Sequence, residues 1–100
     1  MDFLTGKDLN NEEALEQILM LEQAIDQLVA EEEISEMDGW DAYFGLLHEC
    51  DERGFMEERR RIVTKIDTRR YDPFKSKNAG IQIITRLRVV RLKIPNPGNN

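Results

Sequence analysis

Apolar residues first recur at helical spacing just beyond Asn10. Ala14, Ile18, Leu21, Ile25 and Leu28 are separated by alternating steps of four and three, which sets them along one stripe of a helix, and Leu15, Leu19 and Val29 widen it. A start signal precedes the stripe: Asn10 suits an N-cap, Glu13 stands in capping-box position, and Leu9 and Ala14 have hydrophobic-staple spacing. The pattern predicts a first helix from about Asn11, ending where Glu31, Glu32 and Glu33 interrupt the stripe. Only about two heptads share this seam, too few for a coiled coil.

Asp38, with Asp41 three residues on, predicts a second N-terminal cap and a helix from about Gly39 to Arg53. Trp40, Tyr43, Phe44, Leu46, Leu47 and Cys50 supply its apolar side, and Gly54 is placed to take the left-handed conformation that ends helices. A third helix is expected from about Phe55 to Arg70. Phe55, Ile62, Val63 and Ile66 would face inward and Arg61, Lys65 and Arg69 outward, with Asp72-Pro73 closing the element.

Residues 81–94 contain seven β-branched residues in 14, which predicts a strand. Ile81, Ile83, Leu87 and Val89 share one side and Val90, Leu92 and Ile94 the other, as a bulge or bend would produce. A helical alternative rests on Ile83, Leu87, Val90 and Ile94, spaced four, three and four. The fold class expected is therefore α+β: a three-helix amphipathic core followed by one long C-terminal β-strand that pairs outside that core, with an all-α chain carrying a fourth helix as the alternative. A lone strand leaves its backbone groups unpaired, so another chain's sheet edge or a further copy would have to complete it. A single domain over 1–100 is expected, divided into a lead-in at 1–10, a helical core at 11–72, a connection at 73–80, the strand at 81–94 and a tail at 95–100.

Charge sharpens the picture. Residues 1–58 carry 18 acids and two bases, residues 59–100 two acids and 12 bases, so the halves are −16 and +10 within a net charge of −6. Such segregation means an acidic face for a basic partner, a basic region for nucleic acid, or halves that neutralise each other. The candidate partner-binding residues are Glu31, Glu32, Glu33, Glu36, Asp38 and Asp41 beside Trp40, together with Arg86, Arg88, Arg91 and Lys93 on the C-terminal segment. The alternative, nucleic-acid binding, would use Arg59, Arg60, Arg61, Lys65, Arg69 and Arg70 against phosphates.

Enzyme chemistry finds little footing. His48 and Cys50 lie about 200° apart on a helix and cannot form a dyad there. His48 with Glu52 makes an oriented base without a nucleophile near it in sequence, and Cys50 reads as a core residue. The acidic run lacks the calcium loop's ligand alternation, so neither a metal nor any other cofactor is expected. The longest apolar run, Ile18 to Leu21, is far too short to cross a bilayer, and the N-terminal residues lack a secretory pattern. The expectation is a non-catalytic cytoplasmic protein, bacterial or virus-encoded, that acts as an assembly subunit, adaptor or inhibitor by binding another protein or further copies of itself.

Overall fold

A computed structural model describes residues 9–76 and 79–90. They form five helices: α1 (Asn11–Ala30), α2 (Glu36–Arg53), α3 (Met56–Val63), α4 (Pro73–Ser76) and α5 (Ala79–Val90). Among the described residues there is no strand. The central element is α2, against which the other four helices pack. Its Ala42, Tyr43, Leu46, Leu47 and Cys50 meet Ile18, Leu21 and Ile25 of α1, Ile62 of α3, and Ile84 and Leu87 of α5 in one buried core.

The start of α1 is as its spacing implies. Asn10 accepts from the Glu13 backbone N–H at 2.8 Å while the Glu13 carboxylate reaches back to the Asn10 N–H at 3.4 Å. At its far end Glu32 takes φ 59°, and the Glu32 and Glu33 N–H groups turn back to the Val29 and Leu28 carbonyls at 3.0 and 2.9 Å. This left-handed close normally belongs to glycine or asparagine.

The second helix begins three residues earlier than its carboxylates suggested. Ser35 is the cap, and its hydroxyl accepts from the Asp38 N–H at 3.0 Å. Gly54 ends it at φ 75°, as expected. The third helix stops at Val63 and does not continue to Arg70. There the Thr64 hydroxyl donates to the Arg61 carbonyl at 2.6 Å, and the Asp67 carboxylate accepts from the Arg69 N–H at 3.1 Å, local bonds that compete with a helical ladder. Ile66 remains buried on the turn beyond. Pro73 opens α4 instead of closing a helix, with the Asp72 carboxylate accepting from the Phe74 N–H at 3.0 Å.

The largest correction concerns the C-terminal segment. The expected α+β class with a strand over 81–94 is overturned, and the all-α alternative fits: Ala79–Val90 is α5. Packing against α2 overrides the β-branched content. Gly80, Ile84, Leu87 and Arg88 form its buried face, whereas Val90, which the helical alternative placed inside, is 66% exposed. A helix satisfies its own backbone, so the need for a neighbouring sheet disappears. Part of that expected strand, residues 91–94, and the tail at 95–100 lie outside the described residues.

Gly80 makes the docking close. A Cβ there would fall inside contact distance of the Asp41 and Ala42 backbone, so α5 meets α2 nearly backbone to backbone. The Gly80 N–H donates to the Asp41 carboxylate at 2.7 Å, giving α5 a cap supplied by another helix.

Candidate functional site

The opposed charges meet within one chain. Glu22 on α1, 5% exposed, is gripped by Arg61, whose Nε lies 3.0 Å from Oε1 and whose terminal nitrogen lies 2.6 Å from Oε2. Lys65 bridges Glu22 at 2.9 Å and Asp26 at 2.6 Å, and sits over the Tyr43 ring at 5.5 Å from its centroid. The Tyr43 hydroxyl donates to the same Asp26. Burial pushes the Glu22 carboxyl up, but the hydrogen bonds and charges of Arg61 and Lys65 outweigh it and hold the group below the usual carboxylate range.

Further pairs follow the same rule. Arg59 meets Asp51 at 2.6 Å, Arg70 meets Glu36 at 3.6 Å while covering the Trp40 ring at 5.2 Å, and Arg88 meets Glu49 at 2.7 Å. Every one of these bridges joins an acid from residues 1–58 to a base from residues 59–100. Arg88 is 2% exposed, and its Nε also donates to Gln17 of α1 at 3.2 Å. Burial raises the Glu49 carboxyl above its ordinary value despite the charge of Arg88.

The expected site residues therefore separate. Trp40 is buried under Arg70 and belongs to the core, and Asp41 is half-buried, accepting from the Tyr71 hydroxyl as well as from Gly80. Arg86 is exposed on α5, Arg88 points inward, and Arg91 and Lys93 fall outside the described residues. Of the residues weighed for phosphate contact, Arg59, Arg61, Lys65 and Arg70 are in ion pairs, while Arg60 and Arg69 are exposed.

Glu31, Glu32, Glu33, Glu36 and Asp38 do come together, at the turn between α1 and α2. Glu32, Glu33, Glu36 and Asp38, with Val29, Ile34 and Ser35, line an open cavity of about 680 Å³. Among the described residues, no cation forms a salt bridge with Glu31, Glu32, Glu33 or Asp38.

His48 and Glu52 pair at 3.2 Å on the exposed side of α2. Cys50 is buried, and burial, with Glu58, Glu49 and Asp51 around it, pushes its thiol up to about 11, far from a thiolate nucleophile at neutral pH. Among the described residues no three metal-ligating side chains converge, and no helix is long and apolar enough to cross a membrane.

Pairing of Arg61 with an acid of the first helix agrees with the expectation that the two halves neutralise each other, but the buried places of Glu22 and Arg88 escaped the sequence reading although their register was visible. Glu22 stands four residues after Ile18 and three before Ile25, and Arg88 four after Ile84, so each occupies a core-facing position of its helix. Phe74, 88% exposed, was also missed, since its place in the expected connection hid that it leads a helical turn.

The chain matches no protein-family model, no curated protein and no solved structure. The viral, adaptor and inhibitor roles expected above draw nothing from these comparisons and go no further.

Proposed function

We propose that this chain is a non-catalytic cytoplasmic interaction protein whose acidic end, Glu31, Glu32, Glu33, Glu36 and Asp38, engages a basic surface on a partner chain. The observation that carries the reading is the position of the three glutamates. They occupy the negative pole of α1, where like charge is unfavourable, and Glu32 additionally holds a left-handed conformation. Cations elsewhere in the fold are spent on Glu22, Asp26, Asp51 and Glu49, and at this end Arg70 meets Glu36 alone, so that among the described residues Glu31, Glu32, Glu33 and Asp38 form no salt bridge. A costly cluster at an exposed surface fits retention for binding. Nucleic-acid binding is less well supported, because Arg59, Arg61, Lys65 and Arg70 serve as internal counter-charges.

The test is a fluorescence titration with a deca-lysine peptide at two salt concentrations. Replacing Glu31, Glu32 and Glu33 by Gln is expected to weaken binding at least ten-fold. The same charge change at exposed Glu12, Glu16 and Glu57 should have a small effect. Equal losses from both triple variants would reduce the attraction to net charge alone and refute a localised face. A single-stranded oligonucleotide serves in parallel, and retardation at low salt that is lost on neutralising Arg60 and Arg69 would favour the nucleic-acid reading instead.

A further inference from the structure

Arg70 is the loosest of the paired cations on α3 and the turn beyond it. It meets Glu36 at 3.6 Å, where Arg59, Arg61 and Lys65 hold their carboxylates at 2.6 to 2.9 Å, and the Arg70 and Glu36 side chains are 64% and 60% exposed. The same guanidinium covers the buried Trp40 ring at 5.2 Å from its centroid. An aromatic face beside a carboxylate is a receptor for a planar cation, and here the chain's own arginine fills it. Trp40 and Glu36 also help to wall a cleft of about 350 Å³ with Asp26 and Tyr43, and this cleft shares Val29 and Glu36 with the acidic cavity. A segment lying along that cavity therefore comes directly to Glu36 and the indole. Lys65, over the Tyr43 ring, shows the contrast: it is half-buried and bound to both Glu22 and Asp26, and so belongs to the framework.

We infer that Arg70 is an internal stand-in for an arginine of the partner: a basic segment that settles along the Glu32–Asp38 cavity displaces Arg70, and an arginine of that segment takes its place over Trp40 and against Glu36. The ring and the carboxylate together match a flat guanidinium, which stacks and hydrogen-bonds at once, whereas the point charge of a lysine is served by the carboxylates alone. Exposed ion pairs and exposed cation–π contacts are individually weak, so Arg70 is released more easily than Arg61 or Lys65. While seated it lowers the fraction of molecules ready to bind, and it discriminates against segments that cannot replace its contacts. The exchange rests on reading the acidic end as the binding face and adds the side chain which that face selects.

Deca-arginine titrated into the full chain tests it, with the Arg70 Nε–H and the Trp40 indole N–H followed by NMR. The Arg70 resonance is expected to move to the position of a solvent-exposed arginine as the peptide binds, together with a change at the indole. Arg70→Gln is expected to tighten deca-arginine binding about five-fold more than Arg69→Gln, the factor that an exposed ion pair and a cation–π contact would supply as competitors. Arg69 is an exposed neighbour, so its variant carries the same charge change without vacating the ring. Deca-lysine should bind through the three glutamates and leave the Arg70 resonance in place. An unmoved Arg70 resonance at saturating deca-arginine, equal effects of the two Gln variants, or displacement of Arg70 by deca-lysine as readily as by deca-arginine overturns the exchange. Triple Gln replacement of Glu31, Glu32 and Glu33 separates the two claims: peptide binding that still needs these glutamates but ignores Arg70 leaves the proposed function standing, and loss of that dependence removes both.

Discussion

Glycine at position 80 sets how near two helices come. Because a methyl group there would strike the backbone of Asp41 and Ala42, which cannot swing aside, Gly80→Ala is expected to destabilise the fold by about 1–3 kcal/mol, the range for overpacking. Gly45 provides the contrast. A Cβ there would stand 2.7 Å from the Cδ1 of Ile84, the movable end of a side chain, so Gly45→Ala should cost well under half as much. Urea unfolding of the two variants compares them, and equal losses would mean that the close approach at Gly80 is not maintained. At the same scale, Glu22 gives the acid limb of the stability profile its slope. Its carboxyl is held below the ordinary range in the fold, so its contribution is fully present above the unfolded value near 4.5 and is lost as pH falls through the lowered one. Glu22→Gln is expected to lower stability at pH 7 by about 2 kcal/mol, as for a hydrogen bond to a charged group, and to flatten the profile below pH 4.5. Glu49 works in the opposite sense, since its raised value means that stability falls as pH rises from 4.5 through that value.

For whole elements, the decisive interaction is the seating of α5 on α2. Its Arg88 is buried against Glu49, and removing one member of such a pair strands the other charge. Arg88→Ala is therefore expected to cost about 3–5 kcal/mol, and adding Glu49→Leu to Arg88→Met should recover most of the loss. Chemical denaturation of the single and double variants makes the comparison, and strict additivity would contradict a coupled buried pair. Here too lies the limit of what the amino-acid order discloses. The first helix could be read because a cap, a capping box and a 3–4 stripe agree, and Gly54 marked the end of α2. The last helix was misread because β-branched Ile81, Ile83, Ile84, Thr85, Val89 and Val90 speak for a strand, while what decides is a surface on α2 shaped by Gly45 and matched by Gly80. Local preference is a weak term when a long-range surface of that fit is available.

Across the molecule, segregation of charge along the chain becomes neutralisation in space. Acids of α1 and α2 find their cations on α3, on the turn beyond it and on α5, and this pairing leaves the end built by Glu31–Asp38 acidic. The acidic run was visible in the sequence, whereas its separation from Trp40 and Asp41 was not, because those two side chains are claimed by contacts with Arg70, Tyr71 and Gly80 that lie 30 or more residues away. The account's central claim is that the three glutamates ending α1 are kept for association at a cost to the fold. One paired measurement tests it: the thermal stability of the Glu31→Gln/Glu32→Gln/Glu33→Gln variant together with its affinity for deca-lysine. A gain of about 1 kcal/mol, from relief of like charge at the helix's negative end, alongside a loss of affinity of at least ten-fold is the predicted result. A variant that is less stable than the parent, or that binds the peptide as tightly, would contradict the claim.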